Sequence, residues 1–202
     1  IGWRSKKKLL YYIVIYEYTM EKLRADNLPP TSFKIGKIED RVIKYLNSID
    51  LSKFPITEDD STTTRGGIQT VNIINYINKD FLKYLKEKYI FPCIEELKPY
   101  YSIDDLHFNH IHFIQYQKGG TQLLHDHKCC EDWGFLLFLN DDEGGETVLY
   151  DGGQVYKNSV NKGKFIIMPS WMKHEGLEVK NNKKIFLIAI QEIGKKWGSV
   201  KT

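Results

Sequence analysis

The sequence predicts a mainly β fold of the jelly-roll or sandwich type, with supporting helices on its N-terminal side. Three observations lead to this prediction. Helical periodicity is confined to the first hundred residues, the period changes to two from Leu106 onward, and short apolar runs then alternate with glycine-containing turns as far as Ile190. Many short strands at regular spacing are typical of such two-layered folds.

The length of the chain suits one well-buried core. It has 202 residues, of which 42% are hydrophobic and 27% charged, and this is too little for two comfortable domains. We therefore predict a single domain over residues 1–202. Residues 1–104 supply an N-terminal strand and supporting helices, and residues 105–193 supply the β core.

The N-terminal half contains one predicted strand and two predicted helices. Residues 9–18 are rich in β-branched and aromatic side chains and predict the strand, which Pro29-Pro30 follows. The first helix has its apolar residues at helical spacing, namely Ile38, Val42, Leu46 and Ile49. Asn78 caps the second, which Pro92 ends or kinks and whose apolar face is Phe81, Leu82, Leu85 and Tyr89.

One segment between these helices has no apolar periodicity. Residues 57–67 read T-E-D-D-S-T-T-T-R-G-G, which predicts a mobile loop. Two roles stay open for it, either gating the substrate entrance of the barrel or serving as a simple connector.

The C-terminal half reads as a series of strands. In the first, Leu106, Phe108, His110, His112, Ile114 and Tyr116 alternate along one predicted face, and Gly119-Gly120 is predicted to turn the chain. Further strands are predicted at residues 133–139, 147–150, 154–156, 164–168 and 184–190.

Composition excludes several classes of protein. Lys and Arg (29) exceed Asp and Glu (26) by only +3, and apart from residues 6–8 the basic residues are scattered, so no nucleic-acid footprint is expected. Three cysteines fit a reducing compartment, the cytoplasm, rather than a disulfide framework. The longest apolar stretch, about eight residues, is far shorter than the roughly 20 that a membrane-spanning helix needs.

The histidines predict a mononuclear metal site. All six lie between His107 and His174. His125 and His127 stand at i and i+2, so a strand presents both imidazoles on one side. His174 follows a glycine-bounded strand and a proline-containing loop, where a jelly roll returns the chain beside the pair. The alternative is that His125 and His127 are simply polar strand residues, as we expect for His107, His110 and His112.

The order of these residues resembles a known family. Tyr116-x-x-Gly119, His125, G-G-E-T at 144–147, His174 and Lys184 look like the Fe(II)- and 2-oxoglutarate-dependent oxygenases of the prolyl-hydroxylase type. The resemblance covers about residues 105–192. It implies a double-stranded β-helix and an enzyme that uses 2-oxoglutarate and dioxygen to hydroxylate a protein or small-molecule substrate.

The resemblance also implies roles for particular residues. His125 and His174 would bind iron, Lys184 would pair with the distal carboxylate of 2-oxoglutarate, and the hydroxyl groups of Tyr116 and Thr147 would bind the same cosubstrate. In this family an Asp usually stands two residues after the first histidine, and here that position is His127. We therefore predict a metal site of three imidazoles, which leaves the full +2 charge on the metal. Phe138 is a second departure, because it lies in a strand where a tyrosine helps to hold the cosubstrate in relatives.

Two alternatives from other classes remain open. Gly119, His125, His127 and Glu131 resemble the first motif of the cupins, and Gly163, Pro169 and His174 resemble the second, which would give three histidines and Glu131 around a metal without 2-oxoglutarate. Against this reading, Trp171 and Phe138 replace glycines of those motifs. The other alternative is a non-catalytic jelly-roll binding module.

Overall fold

The structure is a computed structural model that describes residues 32–57, 63–98, 101–128 and 131–197. The strand predicted at residues 9–18 and the Pro29-Pro30 pair lie outside these described residues. Within them, no helix has the length and apolar character needed to cross a membrane.

Two helical regions support the sheet. The first, α1 (Asp40–Asn47), is the predicted amphipathic helix and buries Val42, Ile43 and Leu46. The second begins with α2 (Lys79–Leu85), where the Asn78 side chain accepts a hydrogen bond from the amide of Phe81, as predicted. Short 3₁₀ helices cover Leu51–Lys53 and Ile74–Tyr76.

The second helical region does not end at Pro92. After α2 the chain forms a π-helical segment (Lys86–Ile90) and then α3 (Phe91–Leu97), with Pro92 in the first turn of α3. Proline lacks an amide N–H and collides with the carbonyl group of the preceding turn. The π-helical segment changes the hydrogen-bonding pattern just before Pro92, so the helical run continues.

The strands, described in chain order, form one large and one small antiparallel sheet. They are β1 (Lys34–Lys37), β2 (Thr64–Gln69), β3 (Tyr101–Ser102), β4 (Asp105–His125), β5 (Trp133–Phe138), β6 (Thr147–Asp151), β7 (Gln154–Asn158), β8 (Lys164–Pro169), β9 (Lys173–Gly176), β10 (Asn182–Ile193) and β11 (Lys196–Trp197). The large sheet has the order β1-β8-β5-β10-β4-β9-β6-β7, with β2 also paired to β4, while β3 and β11 form the small sheet.

Strand β4 joins the two halves of the large sheet. Its first part pairs with β10, and its last residues pair with β9. The curled sheet that results is a double-stranded β-helix, and the predicted fold class is confirmed. The predicted turn at Gly119-Gly120 is wrong, because the chain stays within β4 there. Gly119 adopts a positive φ of 83°, and both glycines exchange backbone hydrogen bonds with Val179.

The alternation predicted for the start of β4 is interrupted by a β-bulge. Phe108 and His110 pair with the successive residues Ile190 and Ala189 of β10, so Asn109 is an extra residue. An extra residue exchanges the two faces of the strand. Leu106 and Phe108 therefore share a face with Ile111 and Phe113, rather than with Ile114 and Tyr116 as predicted.

Both faces of the central strands are buried. One face packs against the helices and includes Phe113, Phe135, Phe186 and Ile188. The other lines the interior of the barrel, and its buried apolar residues are Ile114, Tyr116, Leu136, Phe138, Leu149, Ile166, Met168, Met172, Val179, Ile185 and Leu187. The candidate site lies on this second face.

Part of the predicted loop at residues 57–67 is a strand. Residues 58–62 lie outside the described residues, but residues 64–69 form β2 against β4. Its sequence, T-R-G-G-I-Q, has no alternating apolar pattern. One of its two central glycines instead allows the backbones of β2 and β4 to approach closely. A Cβ atom on Gly67 would lie 2.6 Å from the carbonyl oxygen of Gln115, so only glycine fits there without a shift of the backbone.

Candidate metal and cosubstrate site

Three of the predicted site residues come together at one end of the barrel interior. His125 ends β4 and pairs directly with His174 of β9, while the amide of His127 is fixed by a 2.8 Å hydrogen bond to the carbonyl oxygen of Ser170. One potential ligand atom from each imidazole can be chosen so that all three lie within 4.8 Å of one another. This spacing is suitable for a single metal ion.

Backbone carbonyl groups contact the same ring nitrogen of His125 and of His174. Nδ1 of His125 lies 2.7 Å from the carbonyl oxygen of Leu123, and Nδ1 of His174 lies 3.0 Å from that of Met172. Since a carbonyl group only accepts, each Nδ1 carries the proton and donates it. Nε2 of each of these two rings then keeps its lone pair, which is the form that binds a metal. Nε2 of His125 lies 3.5 Å from the side-chain nitrogen of Gln122, and a metal would replace this long contact.

Burial keeps the three imidazoles neutral. His174 is 1% exposed, and burial, followed by the neighbouring His125, lowers its pKa to about 3. Burial, with His125 as the next cause, lowers the pKa of His127 to about 4. Burial also lowers the pKa of His125. Neutral imidazoles do not have to lose a proton before they bind a metal.

Lys183, not Lys184, projects into the barrel. Lys183 is 1% exposed, and its Nζ donates to the carbonyl oxygen of Gly145 at 2.6 Å and lies 3.4 Å from the hydroxyl oxygen of Thr147. Burial lowers its pKa to about 7. The Nζ of Lys184 instead lies 3.4 Å from Oδ1 of Asn47 on α1.

The prediction of an inward Lys184 is wrong for a specific reason. Lys184 does share a face with Phe186 and Ile188, as predicted, but that face packs against the helices. Lys183 shares the barrel-facing side with Ile185 and Leu187. Because both faces of β10 are apolar, alternation separated the two lysines without indicating which face surrounds the site.

Tyr116 and Thr147, the other two predicted cosubstrate residues, lie beside Lys183. Tyr116 pairs with Lys183 across β4 and β10, and its ring centroid is 5.6 Å from the lysine Nζ. The Tyr116 hydroxyl has no hydrogen-bond partner of normal geometry within the described residues. Burial raises its pKa, and the neighbouring Thr64 hydroxyl offsets this only in part. A buried hydroxyl group of this kind is available to a ligand.

Gly176 lies beside both the lysine and one of the histidines. It lies two residues after His174 on the same side of β9, and a Cβ atom placed on it would be 3.6 Å from the Nζ of Lys183. The same Cβ atom would lie 3.1 Å from Cβ of Gln122 on β4, so the absence of a side chain at Gly176 lets the amine and β4 approach β9 closely beside His174.

Phe138 forms one wall of this space. It is fully buried, and its ring centroid lies 5.4 Å from the Nζ of Lys183. This wall of the space is therefore apolar. Tyr116, Thr147 and Lys183 provide the polar groups instead.

The remaining histidines lie outside the cluster. His107 is exposed, as predicted. His110 and His112 stack with ring centroids 6.0 Å apart. Nδ1 of His110 lies 3.2 Å from the Asn72 side-chain nitrogen, and Nδ1 of His112 lies 2.8 Å from the carbonyl oxygen of Thr70. These contacts fix both rings to the segment that follows β2.

Glu131 is close to the cluster but is not among its converging ligand atoms. Its Oε1 lies 3.4 Å from Nδ1 of His127, and burial raises its pKa to about 8. This position gives no support to the cupin alternative, in which Glu131 binds the metal directly. The sequence predicts Glu131 only as a metal ligand of the cupin type, because the spacing of Glu131 and His127 does not indicate which ring nitrogen the carboxyl group faces.

Comparison with known proteins identifies the fold. No protein-family model matches this chain, and no curated protein matches it in sequence. Solved structures do match. An oxidoreductase of the 2OG-Fe(II) oxygenase family from Burkholderia pseudomallei has a TM-score of 0.63 and 11% identity, over 85% of this chain and 87% of that one. The chain has the fold of the 2-oxoglutarate/Fe(II) oxygenases.

Two further structures show the same similarity. A viral collagen prolyl hydroxylase from Paramecium bursaria Chlorella virus-1, in complex with 2-oxoglutarate, has a TM-score of 0.59 and 18% identity, over 81% of this chain and 97% of that one. A prolyl hydroxylase from Trichoplax adhaerens, in complex with a peptide fragment of hypoxia inducible factor, has a TM-score of 0.55 and 14% identity, over 96% of this chain and 93% of that one. The resemblance inferred from the sequence is thus confirmed at the level of the fold.

Proposed function

We propose that this protein is an Fe(II)- and 2-oxoglutarate-dependent oxygenase. In this proposal His125, His127 and His174 hold the metal, and Lys183 binds the distal carboxylate of 2-oxoglutarate. The observation that carries the proposal is the position of the Lys183 amine, which is buried in the barrel interior beside Gly176, the residue two positions after His174 on β9. A buried lysine in the same barrel interior as a set of metal ligands suits an anion that reaches from one to the other.

The donor set fits Fe(II). Imidazole nitrogen is a suitable ligand for iron, and three ligands leave coordination positions for the keto acid and for dioxygen. Iron bound here would supply the redox chemistry that decarboxylates 2-oxoglutarate to succinate and oxidises a C–H bond of the substrate. Three neutral imidazoles also leave the +2 charge of the metal undiminished, which favours a dianionic cosubstrate.

The other residues of the pocket bind and orient the cosubstrate. Lys183 pairs with the distal carboxylate, and the Thr147 hydroxyl, 3.4 Å from its Nζ, adds a hydrogen bond. The buried Tyr116 hydroxyl donates to the same anion. The buried ring of Phe138, 5.4 Å from Nζ of Lys183, excludes water from this end of the pocket, which strengthens the attraction between the amine and the carboxylate.

For the substrate that is oxidised, the proposal gives the type of reaction and two chemical classes to test. We propose hydroxylation of a C–H bond, with a peptidyl residue as the first class to test, because the Trichoplax adhaerens relative is a prolyl hydroxylase in complex with a peptide. Fold similarity does not determine the substrate. A free amino acid or another small metabolite is therefore the second class to test.

An anaerobic titration tests the proposal. The protein is loaded with Fe(II), and 2-oxoglutarate is added while the visible absorption that accompanies chelation of Fe(II) by a 2-keto acid is followed. We expect saturable binding in the wild-type protein and none in His174→Ala. Admission of dioxygen should then convert 2-oxoglutarate to succinate. A protein that binds metal but no 2-oxoglutarate would refute the oxygenase proposal and favour a cupin-type metalloprotein.

A further inference from the structure

Glu131 is a buried carboxyl group without an evident structural purpose. Its side chain is 3% exposed, and its Oε1 lies 3.4 Å from Nδ1 of His127, which is 28% exposed. Within the described residues no lysine or arginine forms an ion pair with it. Carboxyl groups are rarely buried unless a partner accounts for their position. The partner in this case is the imidazole of His127.

The surroundings of the other two imidazoles indicate what Glu131 does. Nδ1 of His125 and Nδ1 of His174 each face a backbone carbonyl oxygen, from Leu123 and Met172 respectively. His127 has Glu131 at the corresponding nitrogen. Each of the three rings therefore has an oxygen atom near Nδ1, and the 3.4 Å contact of Glu131 is longer than the 2.7 Å and 3.0 Å contacts of the other two rings.

We propose that Glu131 is a positioning residue for His127. It accepts a hydrogen bond from Nδ1–H and so holds the ring with Nε2 turned toward the metal. This inference rests on the proposed function, because it assumes that His127 is a ligand. It also accounts for the departure from the family pattern, since the position that usually holds an Asp has an imidazole here and the carboxyl group stands behind that imidazole.

The physical reason for such a pair is general. A ligating histidine needs its second nitrogen bonded, because that bond fixes the tautomer and the ring orientation and raises the basicity of the ligating nitrogen. Loss of such a partner costs about 10- to 100-fold in metal affinity. Direct ligation by Glu131 would have a different signature, because it adds an oxygen ligand to the metal.

The experiment compares three variants for Co²⁺ binding to the full chain. Glu131→Leu removes the acceptor at similar volume, Glu131→Gln keeps an acceptor oxygen, and Asp126→Asn is the matched control. Asp126 is the residue before His127 in the sequence. Its side chain is 26% exposed, and its carboxylate lies 3.9 Å from Nζ of Lys128. Calorimetry gives the affinity, visible absorption reports the coordination of Co²⁺, and thermal unfolding of the metal-free proteins reports stability.

The expected order of affinity separates positioning from a structural role. Glu131→Leu should bind Co²⁺ about 10- to 100-fold more weakly than wild type. Glu131→Gln should recover most of that loss with an unchanged spectrum, and Asp126→Asn should bind like wild type. The metal-free Glu131→Leu protein should be no less stable than wild type, because leucine replaces a desolvated carboxyl group. If Glu131→Leu fails to fold, the comparison of Glu131→Gln with Asp126→Asn takes its place, and Glu131→Gln should be the weaker binder.

Several outcomes would overturn the inference. Wild-type affinity in Glu131→Leu, or equal affinity in Glu131→Gln and Asp126→Asn, would show that His127 does not need this acceptor. An equal loss in both Glu131 variants with an altered Co²⁺ spectrum would make Glu131 a ligand. Failure of the proposed function has its own signature, which is a wild-type protein that binds no metal or a metal-loaded protein that binds no 2-oxoglutarate.

Discussion

Replacement of Lys183 by alanine is the most direct test of the cosubstrate pocket. The amine is 1% exposed and lies between Gly145 and Thr147, so the 2-oxoglutarate carboxylate that it pairs with would also be shielded from water. Removal of one partner from such a buried charge pair typically costs about 2 to 5 kcal/mol. This corresponds to a rise in the dissociation constant of about 30-fold to 5,000-fold.

Lys184→Ala provides the matched control. It removes the same side chain from the adjacent position on β10, but its amine lies near Asn47 on the helix-facing side of the sheet. We expect Lys184→Ala to bind 2-oxoglutarate with an affinity close to that of wild type.

Calorimetric titration of 2-oxoglutarate into Mn²⁺-loaded protein measures both variants under the same conditions. The titration is best performed at pH 6.5, where an amine with a pKa of about 7 is mostly protonated. An equal loss in the two variants would contradict the placement of the cosubstrate beside Lys183. A larger loss in Lys184→Ala would contradict the orientation of β10 itself.

Three further predictions concern metal binding, pH dependence and stability. His127→Ala should lower the metal content of the purified protein, and full occupancy in that variant would remove His127 from the ligand set. Because burial lowers the pKa of Lys183 to about 7 and the anion requires the protonated amine, 2-oxoglutarate affinity should be constant below that pH and fall up to tenfold per unit above it. Calorimetry in buffers of different ionisation enthalpy should detect proton uptake above pH 7, and an affinity independent of pH would contradict the role of Lys183. The buried amine of Lys98 lies 3.0 Å from the Glu192 carboxylate, and Glu192→Gln removes this counter-charge. The variant should lose about 3 to 5 kcal/mol of the free energy of unfolding, which corresponds to a fall of roughly 6 to 20 °C in melting temperature. An unchanged melting temperature would show that the pair contributes little.

Some of the candidate site follows from local sequence geometry. His125 and His127 stand at strand spacing, and His174 returns beside them because short strands joined by glycine turns curl into a barrel. The helix capped by Asn78 and the strand at residues 133–138 follow in the same way from capping and apolar alternation. Each of these features depends on residues a few positions apart, so the sequence contains the necessary information.

Other features depend on contacts that sequence periodicity does not encode. The bulge at Asn109 reverses the faces of β4, and β2 forms where a polar, glycine-containing segment meets β4. Neither leaves a pattern in the apolar residues. The prediction of a loop was wrong for residues 64–67, and the predicted face of β4 was wrong at its start, because backbone pairing with a distant strand determined both.

The sequence by itself determined that this chain forms a mainly β barrel with supporting helices and that three of its histidines are candidates for one metal. It also determined that Lys183 and Lys184 point in opposite directions, because successive residues of a strand alternate. Only the tertiary structure decided that Lys183 enters the barrel, since helices bury one face of β10 and the barrel interior buries the other. The tertiary structure alone also placed Glu131 at Nδ1 of His127, because that contact depends on the path of the chain between the two residues rather than on their spacing.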